Sequence, residues 1–155
     1  MDIEIKKGDV NHSDDCYEAL IKSEIGEAYF KSFDAKKILL GGLKNKEIDV
    51  ALDIEGNCLG FIWYERYGAF GIHTYLHIIA VKQEFRGKGI GRKLIEQFEE
   101  NTFNKDSMIF LMVADFNKDA KKLYEKIGYE QVGIIPSFYR KGINEHLMMK
   151  TKPEK

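Results

Sequence analysis

The chain has 155 residues, 44% of them apolar, and a net charge of −1 from 24 basic and 25 acidic side chains. That length suits a single domain over residues 1–155, one that hides about 68–70% of its unfolded surface, and the balanced charge excludes a global field that recruits nucleic acid or an acidic membrane. Cys16 and Cys58 are too few and too scattered for a disulfide framework or a metal site, no apolar run approaches the ~18 residues of a membrane span, and without a signal peptide a cytoplasmic location is expected.

Ile3 and Ile5 alternate with charged neighbours and predict a short strand ending near Gly8. Ser13 is placed to cap a helix with Asp14 and Asp15 in its first turn and Tyr17, Leu20 and Ile21 as its apolar stripe, interrupted at Gly26. A second helix is expected from Glu27 or Asp34 to Leu40, stopping at Gly41-Gly42. Ile48, Val50 and Leu52 then alternate with polar residues, and Asp53-Ile54-Glu55-Gly56-Asn57 reads as a hairpin turn into a strand over 58–65. A second turn at 67–71 leads to a strand over 72–81 and completes an antiparallel meander. Ile72, Thr74, Leu76, Ile78 and Ala80 share one face of that strand, and His73, Tyr75, His77, Ile79 and Val81 share the other.

Between this strand and the next helix, Gly87, Gly89 and Gly91 alternate. Glycine accepts positive φ and has no Cβ, so successive N–H groups can converge on one anion in front of a helix N-terminus. Arg86, Lys88 and Arg92 add charge there. Two glycine-rich loops are excluded. A P-loop needs Ser or Thr after Gly-Lys, where this chain has Gly89. A dinucleotide fingerprint needs Gly-x-Gly-x-x-Gly and an acidic residue ending the next strand, which here ends in Val113-Ala114.

Downstream, Ile90, Leu94, Ile95, Phe98 and Thr102 recur at helical spacing, with Arg92 and Glu96 able to pair at i,i+4. The apolar run 108–114 reads as a buried central strand. Asn117 is expected to cap a helix with Asp119 in its first turn, Ala120, Leu123, Tyr124 and Ile127 on one face and Gly128 at its end. Two strands, 129–135 and 138–149, are expected around Pro136, and no internal repeat or linker appears.

Arg86-x-x-Gly89-x-Gly91 resembles the Arg/Gln-x-x-Gly-x-Gly/Ala pyrophosphate loop of the GNAT family of N-acetyltransferases. Asn117-x-x-Ala120-x-x-Leu123-Tyr124-x-x-x-Gly128-Tyr129 is similar to that family's pantetheine-side helix, and the order of elements resembles the whole fold. The resemblance implies an α/β (α+β) fold with a mixed central sheet of about seven strands, helices on both faces, and a splay between the fourth and fifth strands. It implies acetyl-coenzyme A (acetyl-CoA) as co-substrate and no metal. The backbone of Ile79, Ala80 and Val81 would hold the pantetheine arm, with Asn117 and Ala120 opposite. Arg86, Gly87, Lys88, Gly89, Ile90, Gly91 and Arg92 would cradle the pyrophosphate, and Tyr124 would stabilise or protonate the leaving thiolate.

The family resemblance is less complete at the base. Tyr75 stands where many relatives carry a fourth-strand glutamate, and Met112 where relatives that acetylate ribosomal protein N-termini carry one on the fifth strand. A lysine-type amine is neutral only about once in 2,500 molecules at pH 7, an α-amine roughly once in ten, so the need for a base depends on the acceptor. A histidine base at His77 or His73, a water relay through these and Tyr75, and simple packing of both histidines all fit the pattern. The resemblance implies a primary amine of a small molecule or of a protein or peptide as acceptor, chosen by regions 24–30 and 138–145, where Glu24, Glu27 and Glu145 either favour a cationic amine or are isolated surface carboxylates. A homodimer is common in the family. A silent acetyl-CoA-binding regulatory module is the alternative that the missing acids suggest, and a nucleotide-binding domain is the one that the motif tests disfavour.

Overall fold

The computed structural model describes residues 1–31 and 34–154. In chain order it contains β1 (Glu4–Lys7), α1 (Ser13–Ile21), α2 (Ala35–Lys44), β2 (Ile48–Leu52), β3 (Cys58–Ala69), β4 (His73–Val81), α3 (Ile90–Phe103), β5 (Met108–Ala114), α4 (Lys118–Lys126), β6 (Glu130–Arg140) and β7 (Ile143–Thr151). The strands form one sheet of seven in the order β1-β2-β3-β4-β5-β7-β6. Pairs β1–β2, β2–β3, β5–β7 and β6–β7 are antiparallel and β4–β5 is parallel, so the sheet is mixed, as the sequence led us to expect. The parallel ladder joins Thr74 to Ile109, Tyr75 to Phe110 and Leu76 to Leu111. Beyond it β4 continues to Val81 and β5 to Ala114, which is the splay. The contacts gather into two compact units, 1–64 with 78–101 and 65–77 with the described residues from 102 on.

In the first unit, Cys16 and Leu20 of α1 and Leu39 and Leu43 of α2 pack with Ile48, Val50, Phe61, Trp63, Ile78 and Ala80 in a closed apolar core. Helix starts follow side-chain chemistry, though not at the expected residue. Asp9 accepts from the Asn11 N–H at 2.8 Å and opens a 3₁₀ turn, and the chain enters α1 through His12, so Ser13 lies inside the helix instead of capping it. Asp34 caps α2 through the Lys37 N–H at 3.1 Å, the later of the two expected starts. The earlier one, Glu27, lies in a separate π-helical turn (Gly26–Phe30), and positions 32 and 33 of that expected helix lie outside the described residues. Cys16 and Cys58, far apart in sequence, meet in this core. The hydrogen bond from Cys58, followed by burial, pushes the Cys16 thiol up.

Gly41-Gly42 does not end α2, which runs on to Lys44. A Cβ on Gly42 would stand 2.7 Å from Trp63 Cε2, so this glycine lets the helix approach the sheet. Gly42→Ala is therefore expected to cost about 1–3 kcal/mol by overpacking, a fall in melting temperature of roughly 4–8 °C for 2 kcal/mol. Were the glycine only a weak helix former, alanine would raise the melting temperature instead.

The second unit is held at the start of β5 by Asp106. Its carboxylate accepts from His73 Nδ1 at 2.7 Å, from the Thr74 N–H at 2.7 Å and hydroxyl at 2.9 Å, and from the Met108 N–H at 3.2 Å. Burial opposes ionisation, yet these bonds outweigh it and Asp106 titrates at about 2. A carboxyl depressed from about 3.9 stabilises the fold fully above that value by about 2–3 kcal/mol, and the contribution is lost as pH falls from about 4 towards 2. Urea midpoints of the parent and Asp106→Asn are expected to differ most above pH 5 and to converge below pH 3; a constant gap would show that the charge is idle. Elsewhere in this unit β5 alternates half-buried and buried residues up to Val113 and Ala114, which are both buried, instead of being buried throughout. β6 is longer than the expected 129–135 and β7 starts later and is shorter than the expected 138–149, the two meeting at a turn after Arg140 with Pro136 inside β6. β6 is the outermost strand, where a missing N–H is tolerated.

Candidate active site

The glycine loop lies in the first unit. Gly87 and Gly89 have φ of 76° and 81°, the left-handed region that favours glycine, and a Cβ on either would meet nothing within 4 Å. Their space is therefore not filled by the protein itself. The loop runs into α3, whose first N–H with a helical partner is that of Lys93, bonded to the Gly89 carbonyl at 3.1 Å. The N–H groups of Ile90, Gly91 and Arg92 are thus the donors that a helix start presents, with the positive end of its dipole. Gly91 packs against Ile79 and Val81 at the end of β4, 3.8 Å and 3.9 Å from where its Cβ would stand. Ile79, Ala80 and Val81 lead directly into this loop.

Charges at the loop divide their work. Arg86 donates from Nε to the Val81 carbonyl at 3.0 Å and from Nη2 to the Lys22 carbonyl at 3.1 Å, so it ties the loop to β4 and satisfies the C-terminus of α1. Lys82 bonds Asp15 at 2.6 Å and Glu18 at 3.1 Å from α1. Arg92 pairs with Glu96 at 3.3 Å, as its spacing suggested. Lys88 lies 5.6 Å from the Phe85 ring centroid.

The remaining candidates lie in the second unit. β4 alternates as expected, with Thr74 and Leu76 buried and His73, Tyr75 and His77 half-buried. His73 is committed to Asp106. Tyr75 and His77 meet edge to face at 4.9 Å, and His77 Nε2 lies 3.1 Å from Glu65 Oε1 of β3. Burial, then the neighbouring Tyr139 with its hydrogen bond, Glu145 and Glu65, push the Tyr75 hydroxyl far above its ordinary range, so it stays protonated. Glu145 of β7 is only 3% exposed and is not the surface carboxylate that the sequence suggested. One signal was legible: it shares its period-2 face with Ile143, Leu147 and Met149. Glu65 and Tyr139 carried no such signal, since only the folded pairing brings them to Tyr75 and His77.

Asn117 takes the N-cap position of α4 without a side-chain cap bond, so its amide is not spent on the helix as expected. Tyr124 is buried on α4, edge to face with Tyr129 at 5.6 Å, and burial pushes its hydroxyl up to about 12. Ala120 is half-buried on the same helix. Among the described residues no group of His, Cys, Asp and Glu gathers as metal ligands would, and no helix is long and apolar enough to cross a membrane.

Comparison with known proteins adds to this geometry. A family model described as the acetyltransferase (GNAT) family matches residues 13–129. An uncharacterised N-acetyltransferase of Methanocaldococcus jannaschii is 35% identical over 105 residues, 65% of this chain and 64% of that protein. The thialysine N-epsilon-acetyltransferase of Bos taurus is 38% identical over 82 residues, 50% of this chain and 48% of that protein. The chain thus matches about half to two thirds of the length of these relatives. The crystal structure of Ard1 from Thermoplasma volcanium superposes with a TM-score of 0.84 over 99% of this chain and 100% of that one, at 19% identity, a likeness of fold.

Proposed function

Since the chain belongs to the acetyltransferase (GNAT) family, we propose that it transfers an acetyl group from acetyl-CoA directly to a primary amine, with residues 1–155 acting as one N-acetyltransferase domain. The observation that carries this is the glycine loop. Two left-handed glycines with open space at their Cβ positions run into the donors of a 14-residue helix, an arrangement suited to a pyrophosphate.

In this reading the N–H groups of residues 87–92, with Lys88 and Arg92, bind the pyrophosphate, and Arg86 holds the loop in shape. The backbone of Ile79, Ala80 and Val81 pairs with the pantetheine arm in the manner of an added strand, and the Asn117 amide and Ala120 side of α4 contact it. Bound acetyl-CoA supplies the thioester, whose acyl carbon the amine attacks and whose sulfur leaves as a thiolate. Tyr124, protonated far above pH 7, donates a hydrogen bond to that sulfur. His77 takes up the amine proton, and Tyr75, held neutral, orients the amine through its hydroxyl.

Thermal shift with acetyl-CoA, ATP and NAD tests the ligand: stabilisation by acetyl-CoA alone is expected, and equal shifts with ATP would overturn the assignment. Thiol release over polyamines, aminoglycosides, amino acids and peptide N-termini then identifies the acceptor. Silence across the panel by a protein that binds acetyl-CoA would reduce it to a binding module.

A further inference from the structure

Resting on the acetyltransferase reading, the geometry points to Glu65 as the positioning residue that makes His77 the proton acceptor during amine attack. Glu65 stands on β3 and His77 on β4, with Oε1 and Nε2 3.1 Å apart and both side chains about one third exposed, so the pair is partly shielded yet reachable. A carboxylate beside one ring nitrogen takes its N–H, fixes the tautomer and the ring plane, and stabilises the imidazolium that forms. The carboxylate thereby orients the ring that takes up the proton.

The other three histidines are excluded by what they hold. His73 is bound to Asp106, itself saturated by Thr74 and Met108. His12 accepts the Asp9 N–H in the turn before α1. His146 Nε2 is 2.7 Å from Asp115, which also accepts the Asn144 N–H, and its Nδ1 is buried away from any acceptor amine. His77 alone pairs with a carboxylate beside Tyr75, the position where the sequence lacks the expected glutamate. Titratable groups around it are Glu65 of β3, Tyr75 of its own strand and, behind Tyr75, Tyr139 of β6 and Glu145 of β7.

The step balances without another reactant. The amine lone pair forms the new C–N bond, the C–S bond breaks and its electron pair leaves on sulfur, and the nitrogen's proton passes to the His77 imidazole. The imidazolium then returns that proton to solvent.

The test measures kcat against pH at saturating acetyl-CoA, with the best amine from the panel, for the parent, Glu65→Gln, Glu65→Asp and His77→Gln. Glu65→Gln is expected to lower kcat about tenfold and leave KM for acetyl-CoA unchanged, since the ring loses the partner that orients it. Glu65→Asp should restore part of the lost rate, and His77→Gln should abolish the acid limb of the profile. A Glu65→Gln profile superimposable on an active parent's would overturn the inference while leaving the acetyltransferase reading intact. A parent inactive with every amine would fail that reading first, and the catalytic role of the pair with it. Independently of turnover, the His77 imidazole C–H resonances, identified by their loss in His77→Gln, should move in Glu65→Gln as the ring loses the partner that fixes its plane and tautomer. Unmoved resonances would show that the pairing does not act on the ring.

Discussion

Tyr124→Phe is expected to lower turnover about 10²-fold with little change in affinity for acetyl-CoA. The Tyr124 hydroxyl is held at about 12 by burial, whereas a thiol ionises near 8.5. Full proton transfer from this oxygen to the departing sulfur is therefore uphill, and the hydroxyl acts as a hydrogen-bond donor to charge that exists only as the C–S bond breaks. A bond to a charged acceptor in a buried place contributes about 1.5–3 kcal/mol, and about 3 kcal/mol corresponds to a factor of roughly 10² in rate. The phenylalanine ring keeps the edge-to-face contact with Tyr129, so the fold should barely respond. Single-turnover thiol release with a fixed amine is the measurement. A rate within twofold of the parent would mean that the sulfur leaves without help from this residue.

Gly89→Asp should weaken acetyl-CoA binding by about a hundredfold while the protein stays folded. At a φ of 81° an L-residue carries about 1–2 kcal/mol of strain, and Asp and Asn are among the side chains that tolerate this region best. No protein atom lies within 4 Å of the added Cβ, so the folded chain has room for the side chain. The bound pyrophosphate would not, and it would meet a carboxylate where the loop now offers N–H groups. Gly89→Asn has the same shape and strain without the charge, so calorimetric affinities of the two variants separate crowding from repulsion. Affinity of the Asp variant within twofold of the parent would remove the loop from the binding site.

What was legible in the sequence was what local rules determine. The element order, the period-2 alternation of β4, the helical stripe of α3 and the glycine loop each depend on neighbours within a few residues, and all appear where expected. The residues that surround the candidate base did not announce themselves. Glu65 and Tyr139 gain their meaning from strand pairing that no local window encodes, and only the period-2 face of β7 hinted that Glu145 is buried. The same reason explains Gly42, read as a helix stop and found to be a close approach to Trp63. Asp106 also escaped notice, because its partners His73 and Thr74 are distant in sequence.

Pro136 has a consequence for the protein among other copies of itself. β6 borders the sheet, and its apolar side chains Val132, Ile134, Phe138 and Tyr139 are about half exposed, a composition that invites another extended chain to lie alongside. Such zipping needs an unbroken row of N–H and C=O groups along the rim. Here the row is broken: Pro136 has no N–H, Ser137 turns to a φ of 51°, and the ladder to β7 slips between Ile135 and Arg140. The displaced segment is fastened inward, with the Ser137 N–H on Asn144 Oδ1 at 3.3 Å and the Ser137 hydroxyl accepting the Gly142 N–H at 3.0 Å. The break denies another extended chain a continuous template along this half-exposed apolar rim.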